Sequence, residues 1–151
     1  MRPNWYRISA EGSGPAIIYL YGTIGQDWWG EGNSALDFAK ELDELNGRDI
    51  ELHINSGGGD VFEGYAIFSA IKRYSGKVTS YNDGLAASAA SFIALAADEY
   101  VVAEASFTMI HKAWTFALGN SIELAEVIGK LEAIDEPVSY THLTLPTNRE
   151  V

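Results

Sequence analysis

The chain contains no cysteine, which excludes disulfides and thiolate-bound metal and fits a reducing compartment. It is poor in basic residues. Ten Lys and Arg stand against 21 Asp and Glu, leaving a formal charge of −11 at pH 7. An acidic chain without a basic cluster argues against capture of nucleic acid or anionic lipid. No long apolar run is present. The longest, Gly84 to Ala97, is too short and too Ala-rich to span a bilayer. The N-terminal Met1-Arg-Pro-Asn-Trp5 lacks the apolar core of a signal peptide. Neither Gly-x-x-x-x-Gly-Lys-Ser/Thr nor Gly-x-Gly-x-x-Gly occurs, which leaves a nucleotide-binding reading weak. Internal repeats and low-complexity linkers are also absent. These absences lead to an expectation of a cytoplasmic protein that binds no nucleic acid, membrane, metal or cofactor.

What remains is globular in composition. Hydrophobic residues make up 47% of the 151 and charged residues 21%, enough for one domain with a real core. Trp5 to Ile8 reads as a short strand. Glu11 to Pro15 reads as a turn, and Ala16 to Tyr21 as a nearly continuous apolar strand buried on both faces. The loop that follows carries adjacent Trp28 and Trp29, which cannot both point into the core from a regular strand; core or loop packing is the first reading for each, and exposure of one at a ligand or subunit surface the second. Asn33 or Ser34 caps a helix with Ala35, Phe38, Ala39, Leu42 and Leu45 on one face, ended by Gly47. Ile50, Leu52 and Ile54 alternate with Glu51, His53 and Asn55, as in a strand with one drier face. His53 falls on the wetter face, with no special role expected.

Asn55 to Asp60 ends that strand. Asp60 and Glu63 have capping-box spacing for a helix whose buried stripe is Ala66, Ile67, Ala70, Ile71 and Tyr74. Val78 to Asn82 is a strand, Asp83-Gly84 a turn, and the Ala-rich stretch to Ala97 a buried helix. Strands at Tyr100–Ala103 and Phe107–His111 follow. Asn120 or Ser121 then caps a last helix with Ile122, Leu124, Ala125, Ile128, Leu131 and Ile134 apolar. That is more than one stripe needs, which suggests a partner as well. Strands alternating with helices imply an α/β fold with a largely parallel sheet. In such sheets, sites form at the carboxyl ends of the strands.

Three features gather at that edge. Ser88 sits among Gly84, Ala86, Ala87, Ala89 and Ala90, where small side chains let a carbonyl approach its hydroxyl. The helix start behind it supplies unpartnered N–H groups for an oxyanion. The competing reading is a serine in a helix packed through small residues. Gly57-Gly58-Gly59 after a strand suits either a phosphate cradle or backbone donors that a Cβ would block. Asp60, next in sequence, would repel phosphate, and a plain turn explains three glycines less well than one. His111 at a strand end is a candidate general base. The elbow Gly-x-Ser-x-Gly does not apply, since alanines stand two before and two after Ser88.

Ile54-Asn-Ser-Gly-Gly-Gly-Asp60, then Asp83-Gly-Leu-Ala-Ala-Ser-Ala-Ala-Ser91, then Met109-Ile-His-Lys112 resemble, in order and spacing, the Clp protease proteolytic-subunit family. Gly59-Asp-Val-Phe-Glu-Gly64 and Trp114-Thr-Phe-Ala-Leu-Gly-Asn120 are most similar to its phage branch, the prohead or head-maturation proteases. The resemblance covers roughly residues 16 to 136. It implies a spiral of strand–strand–helix repeats, related to crotonases, with a largely parallel sheet. It also implies Ser88 as nucleophile, His111 as base, and the backbone N–H groups of Gly59 and Ala89 as oxyanion hole. Partners so implied are polypeptide substrates such as capsid or scaffold proteins, further copies of the chain in heptameric rings, and a ring ATPase. No cofactor is implied. The helix from Ser121 would begin the handle through which rings meet.

Two departures accompany the resemblance. Gly57 stands where the family usually has proline, at a cost below about 1 kcal/mol. The family's triad aspartate aligns beyond this chain. The likeness stops near Glu136, Pro137 is expected to break the helix, and residues 137–151 read as a translated cloning scar after a domain spanning 1–136. Asp135 is not a substitute acid, and His142 falls in the suspect tail. Losing a triad aspartate costs about 10⁴ in kcat, so near-inactivity is expected of this chain. Three alternatives are a non-catalytic ring or capsid-assembly subunit, a crotonase-like acyl-CoA enzyme, and a Ser–Lys peptidase using Lys112, which points to the face opposite His111.

Overall fold

A computed structural model describes residues 4–25 and 33–143, with side chains through residue 137. Trp28, Trp29, the side chain of His142 and residues 144–151 lie outside the described residues. The chain divides between Ile110 and His111 into two compact units.

The first unit is a six-stranded sheet with helices against one face. Its strands are β1 (Tyr6–Ser9), β2 (Ala16–Ile24), β3 (Ile50–Gly59), β4 (Val78–Ala87), β5 (Glu99–Val102) and β6 (Phe107–Met109). They run in the order β1-β2-β3-β4-β5, with β6 on β4. Only β1 against β2 is antiparallel; the other pairs are parallel, as the alternation of strands and helices implies. The helices are α1 (Ala35–Glu44), α2 (Val61–Arg73) and α3 (Ala89–Ala94). The core lies beneath them, where Ile18, Leu20, Leu52, Ile54, Phe38, Leu42, Ile67 and Ile93 are fully buried. Each such side chain contributes roughly 1.5–3 kcal/mol by leaving water.

Helix starts are set by polar side chains. Ser34 caps α1, and Asp37 returns the bond to the Ser34 N–H in a full capping box. Asp60 caps α2 by accepting from the N–H groups of Phe62 and Glu63. Glu63 does not close the expected box. Its carboxylate accepts from the Ala35 N–H instead and so ties the start of α1 to α2. The buried stripe of α2 is Gly64, Ile67, Ala70 and Ile71; Ala66 is exposed. Gly64 replaces it because α3 approaches so closely that a Cβ there would come within 2.8 Å of Phe92 Cζ.

Both glycine-bearing strand ends run further than the local composition suggests. β3 continues through Gly59, its register slipping against β2 after Tyr21 and against β4 after Ile54. β4 does not turn at Asp83-Gly84. It pairs with β5 through Asn82 and then with β6 from Leu85 to Ala87. The buried Asn82 amide makes this exchange possible, lying 3.1 Å from Tyr100 Oη and 3.0 Å from the Phe107 carbonyl while its oxygen accepts from the Gly84 N–H.

β2 is buried on one face only. Ile17, Tyr19 and Tyr21 point away from the helices, where phenol rings can keep a wet edge. On that outer face His53 stacks between Tyr19 and Tyr81, with centroids 5.3 and 5.0 Å away. Its Nδ1 lies 2.8 Å from Asp83 Oδ2, and Tyr21 Oη donates to the same oxygen at 2.7 Å. His53 is thus on the wetter face, as the alternation predicts, but it is partnered.

The second unit holds α4 (Ser121–Leu143). Asn120 caps it, and Glu123 accepts from the Asn120 N–H. Ile122 and Ile128 are exposed. Pro137 does not end the helix, which runs on to Leu143. Proline removes one N–H and crowds the preceding turn, but turns already formed on either side can absorb one lost bond. No described helix is long and apolar enough to cross a membrane.

The hydrogen bond to Asp83 pushes the Tyr21 phenol up to about 12 from its ordinary 10.0. A raised value in the folded state favours the neutral phenol. The associated stability is complete below pH 10 and is lost as pH rises through about 12. Asp83→Ala should return Tyr21 ionisation toward 10 in an ultraviolet titration, and an unchanged titration would contradict the assignment.

Candidate functional site

The carboxyl ends of β3 and β4 meet at the start of α3. Ser56 begins the glycine segment and fixes it from both sides. Its hydroxyl donates to the Gly22 carbonyl at 2.6 Å and accepts from the Gly58 N–H at 3.1 Å. Gly58 has φ +92, and a Cβ there would lie 2.6 Å from Ser88 Cβ and 2.9 Å from the Ala89 nitrogen. Only glycine combines that conformation with that approach. Gly59, at φ +156, is pressed instead against the backbone of Ile24. Gly57 meets nothing within 4 Å, so its lack of a side chain is not sterically required.

Ser88 joins β4 to α3 in a rare conformation, φ 53 and ψ −125. Such backbone costs on the order of 1–3 kcal/mol and persists where surrounding bonds over-determine it. Here the Ser88 N–H donates to the Met109 carbonyl at 2.8 Å, while its own carbonyl accepts from the Ser91 N–H and from Ser91 Oγ at 2.9 and 2.6 Å. Both backbone groups are engaged, while among the described residues the side chain has no hydrogen-bond partner. Although Ser88 occupies the N-cap position, its hydroxyl makes no capping bond. Buried Ala86, Ala87, Ala89 and Ala90 leave it half-open to solvent. Ala89 is the first residue of α3, where a helix has no internal acceptor for its N–H.

The first unit therefore brings together Ser88, Ala89 and the glycine segment singled out in the sequence. His111 opens the second unit, exposed, two residues along the chain from Met109. Lys112 beside it is exposed too. Sequence reasoning missed two residues that hold the arrangement. Ser56 braces the glycines, and Asn82 hands β4 from β5 to β6, whose carbonyl at Met109 then restrains Ser88. The available signal was a polar residue inside each apolar strand pattern.

Gly58→Ala should destabilise the fold by at least about 2 kcal/mol, since positive-φ strain adds to overpacking. Gly57→Ala should cost less than about 1 kcal/mol. Urea unfolding of the two variants measures both, and equal costs would contradict this packing.

A comparison with curated proteins finds none that matches. The family model for Clp protease matches residues 4–147, nearly the whole chain and more at each end than the motifs alone cover. With that match added to a mostly parallel α/β sheet presenting a strained serine beside a glycine strand end, the chain belongs to the Clp protease family.

Proposed function

We propose that this chain is a serine endopeptidase subunit with Ser88 as nucleophile and His111 as general base. Members of the family act on polypeptides and assemble as oligomeric rings. The observation that carries the proposal is the state of Ser88: strained backbone, both backbone groups tied, and a hydroxyl free of capping duty among buried alanines. A nucleophile needs that freedom, because a hydroxyl committed to a cap is a poorer attacker and is misdirected. In the proposed reaction Ser88 Oγ attacks the scissile carbonyl and His111 takes its proton. The oxyanion is held by the N–H groups of Gly59 and Ala89. His111 then protonates the leaving amine, and water releases the acyl group by the reverse proton path.

The finer reading is a phage head-maturation protease acting on capsid or scaffold proteins in the cytoplasm. It is supported by the Gly59–Gly64 and Trp114–Asn120 segments. Heptameric rings, with a ring ATPase as the further partner, belong to the same reading. Exposed Leu124 and Ile128, one turn apart on the same face of α4, support assembly, since monomers rarely leave large apolar residues grouped in water.

A fluorophosphonate probe should add once, at Ser88, as read by intact and peptide mass spectrometry. Ser88→Ala should abolish the adduct. His111→Ala should slow its formation by about 10²–10⁴, the usual contribution of a positioned base. Near-inactivity makes the labelling slow, and a folded chain that never labels even on prolonged exposure to the probe would sink the proposal.

A further inference from the structure

We infer that Asp135 is a positioning residue that holds the His111 segment through the backbone of Ala113. The inference rests on the reading of His111 as base and adds a residue that nothing in the motif pattern marks. The segment from Ile110 to Gly119 has neither helix nor strand. A base carried there has no ladder to fix it. Two bonds bracket it instead. On one side, two residues before His111, the Met109 carbonyl accepts from the Ser88 N–H at 2.8 Å. On the other, two residues after it, the Ala113 N–H donates to Asp135 Oδ1 at 2.7 Å. Asp135 lies on α4, so the second bond ties the segment to the longest helix of the chain.

Burial agrees with the bond. From Phe107 to Glu126, Ala113 is the one residue that is partly buried; its neighbours on both sides are exposed. Asp135 is itself half-buried. A backbone N–H donating to a carboxylate is short and roughly twice as strong as a neutral pair. Since the carboxylate is engaged with backbone two residues from His111, Asp135 acts on where the imidazole is carried and not on its ring. That distinguishes the role from the aspartate of a Ser–His–Asp triad, which orients the ring itself. Small displacements of a catalytic group are costly, so anchoring the segment matters even without contact with substrate.

The test is the rate of fluorophosphonate labelling at Ser88 in the full chain. Asp135→Ala and Asp135→Ser, neither of which can reach the Ala113 N–H, should each slow labelling by about 10- to 100-fold. Asp135→Asn keeps a side-chain oxygen acceptor and should label within a few-fold of the parent. In a His111→Ala background, Asp135→Ala should add no further loss, because a residue that acts only through His111 has nothing left to position. Parental rates in the Ala and Ser variants would overturn the inference. So would an equal further loss in the His111→Ala background, which marks a general structural role. If His111→Ala alone labels at the parental rate, the base assignment fails first and this inference falls with it, an outcome distinct from failure at Asp135.

Discussion

The contact on which most of this molecule depends is the approach of Gly58 to Ser88. Two strand ends and a helix start are brought so close that a single methyl group at Gly58 would overlap Ser88 Cβ and the Ala89 nitrogen. Everything nearby is arranged to make that approach tolerable. The alanines flanking Ser88 leave room, Ser56 satisfies the Gly58 N–H that the bend turns away from the ladder, and the Met109 carbonyl takes the Ser88 N–H. The strain at Ser88 is thus held by three hydrogen bonds to its backbone, one to Met109 and two from Ser91, rather than by its own preference.

The sheet serves this junction by changing partners. β4 begins as an ordinary central strand between β3 and β5 and ends as a strand paired with β6. The exchange leaves backbone groups exposed at the crossing, and the buried Asn82 amide occupies them with a single side chain. On the outer face, the Tyr21–Asp83–His53 cluster restrains the same bend from the other side. The path from β4 to Ser88 is therefore fixed twice, once by a buried amide and once by a half-exposed hydrogen-bonded cluster.

The helices illustrate how local and tertiary demands compete. Asp60 behaves as its position in sequence suggests, because a cap needs only its own next turn. Glu63, three residues on, has a choice between its own cap and the unpartnered N–H at the start of α1, and it takes the latter. Gly64 is buried where Ala66 seemed the better core residue, because the spacing between α2 and α3 is set by the ring of Phe92. Pro137 lies inside a helix that continues past it, a case where length on both sides outweighs one missing bond.

The sequence by itself determined the order of elements, the parallel sheet, the alternating face of β3, the capping residues, and the grouping of Ser88 with the glycine segment. Each follows from periodicity of two or 3.6 residues, from side chains that bond within one turn, or from glycine's freedom at positive φ. It did not determine which glycine touches Ser88, that β3 and β4 run on through their glycines, or that Asn82 and Ser56 brace the junction. Nor did it reveal that Glu63, His53 and Asp135 find partners far along the chain. Those outcomes depend on distances between elements, which arise only when strands slip register and helices pack. A polar side chain with several hydrogen-bond partners within reach is assigned by that packing and by nothing in its immediate sequence.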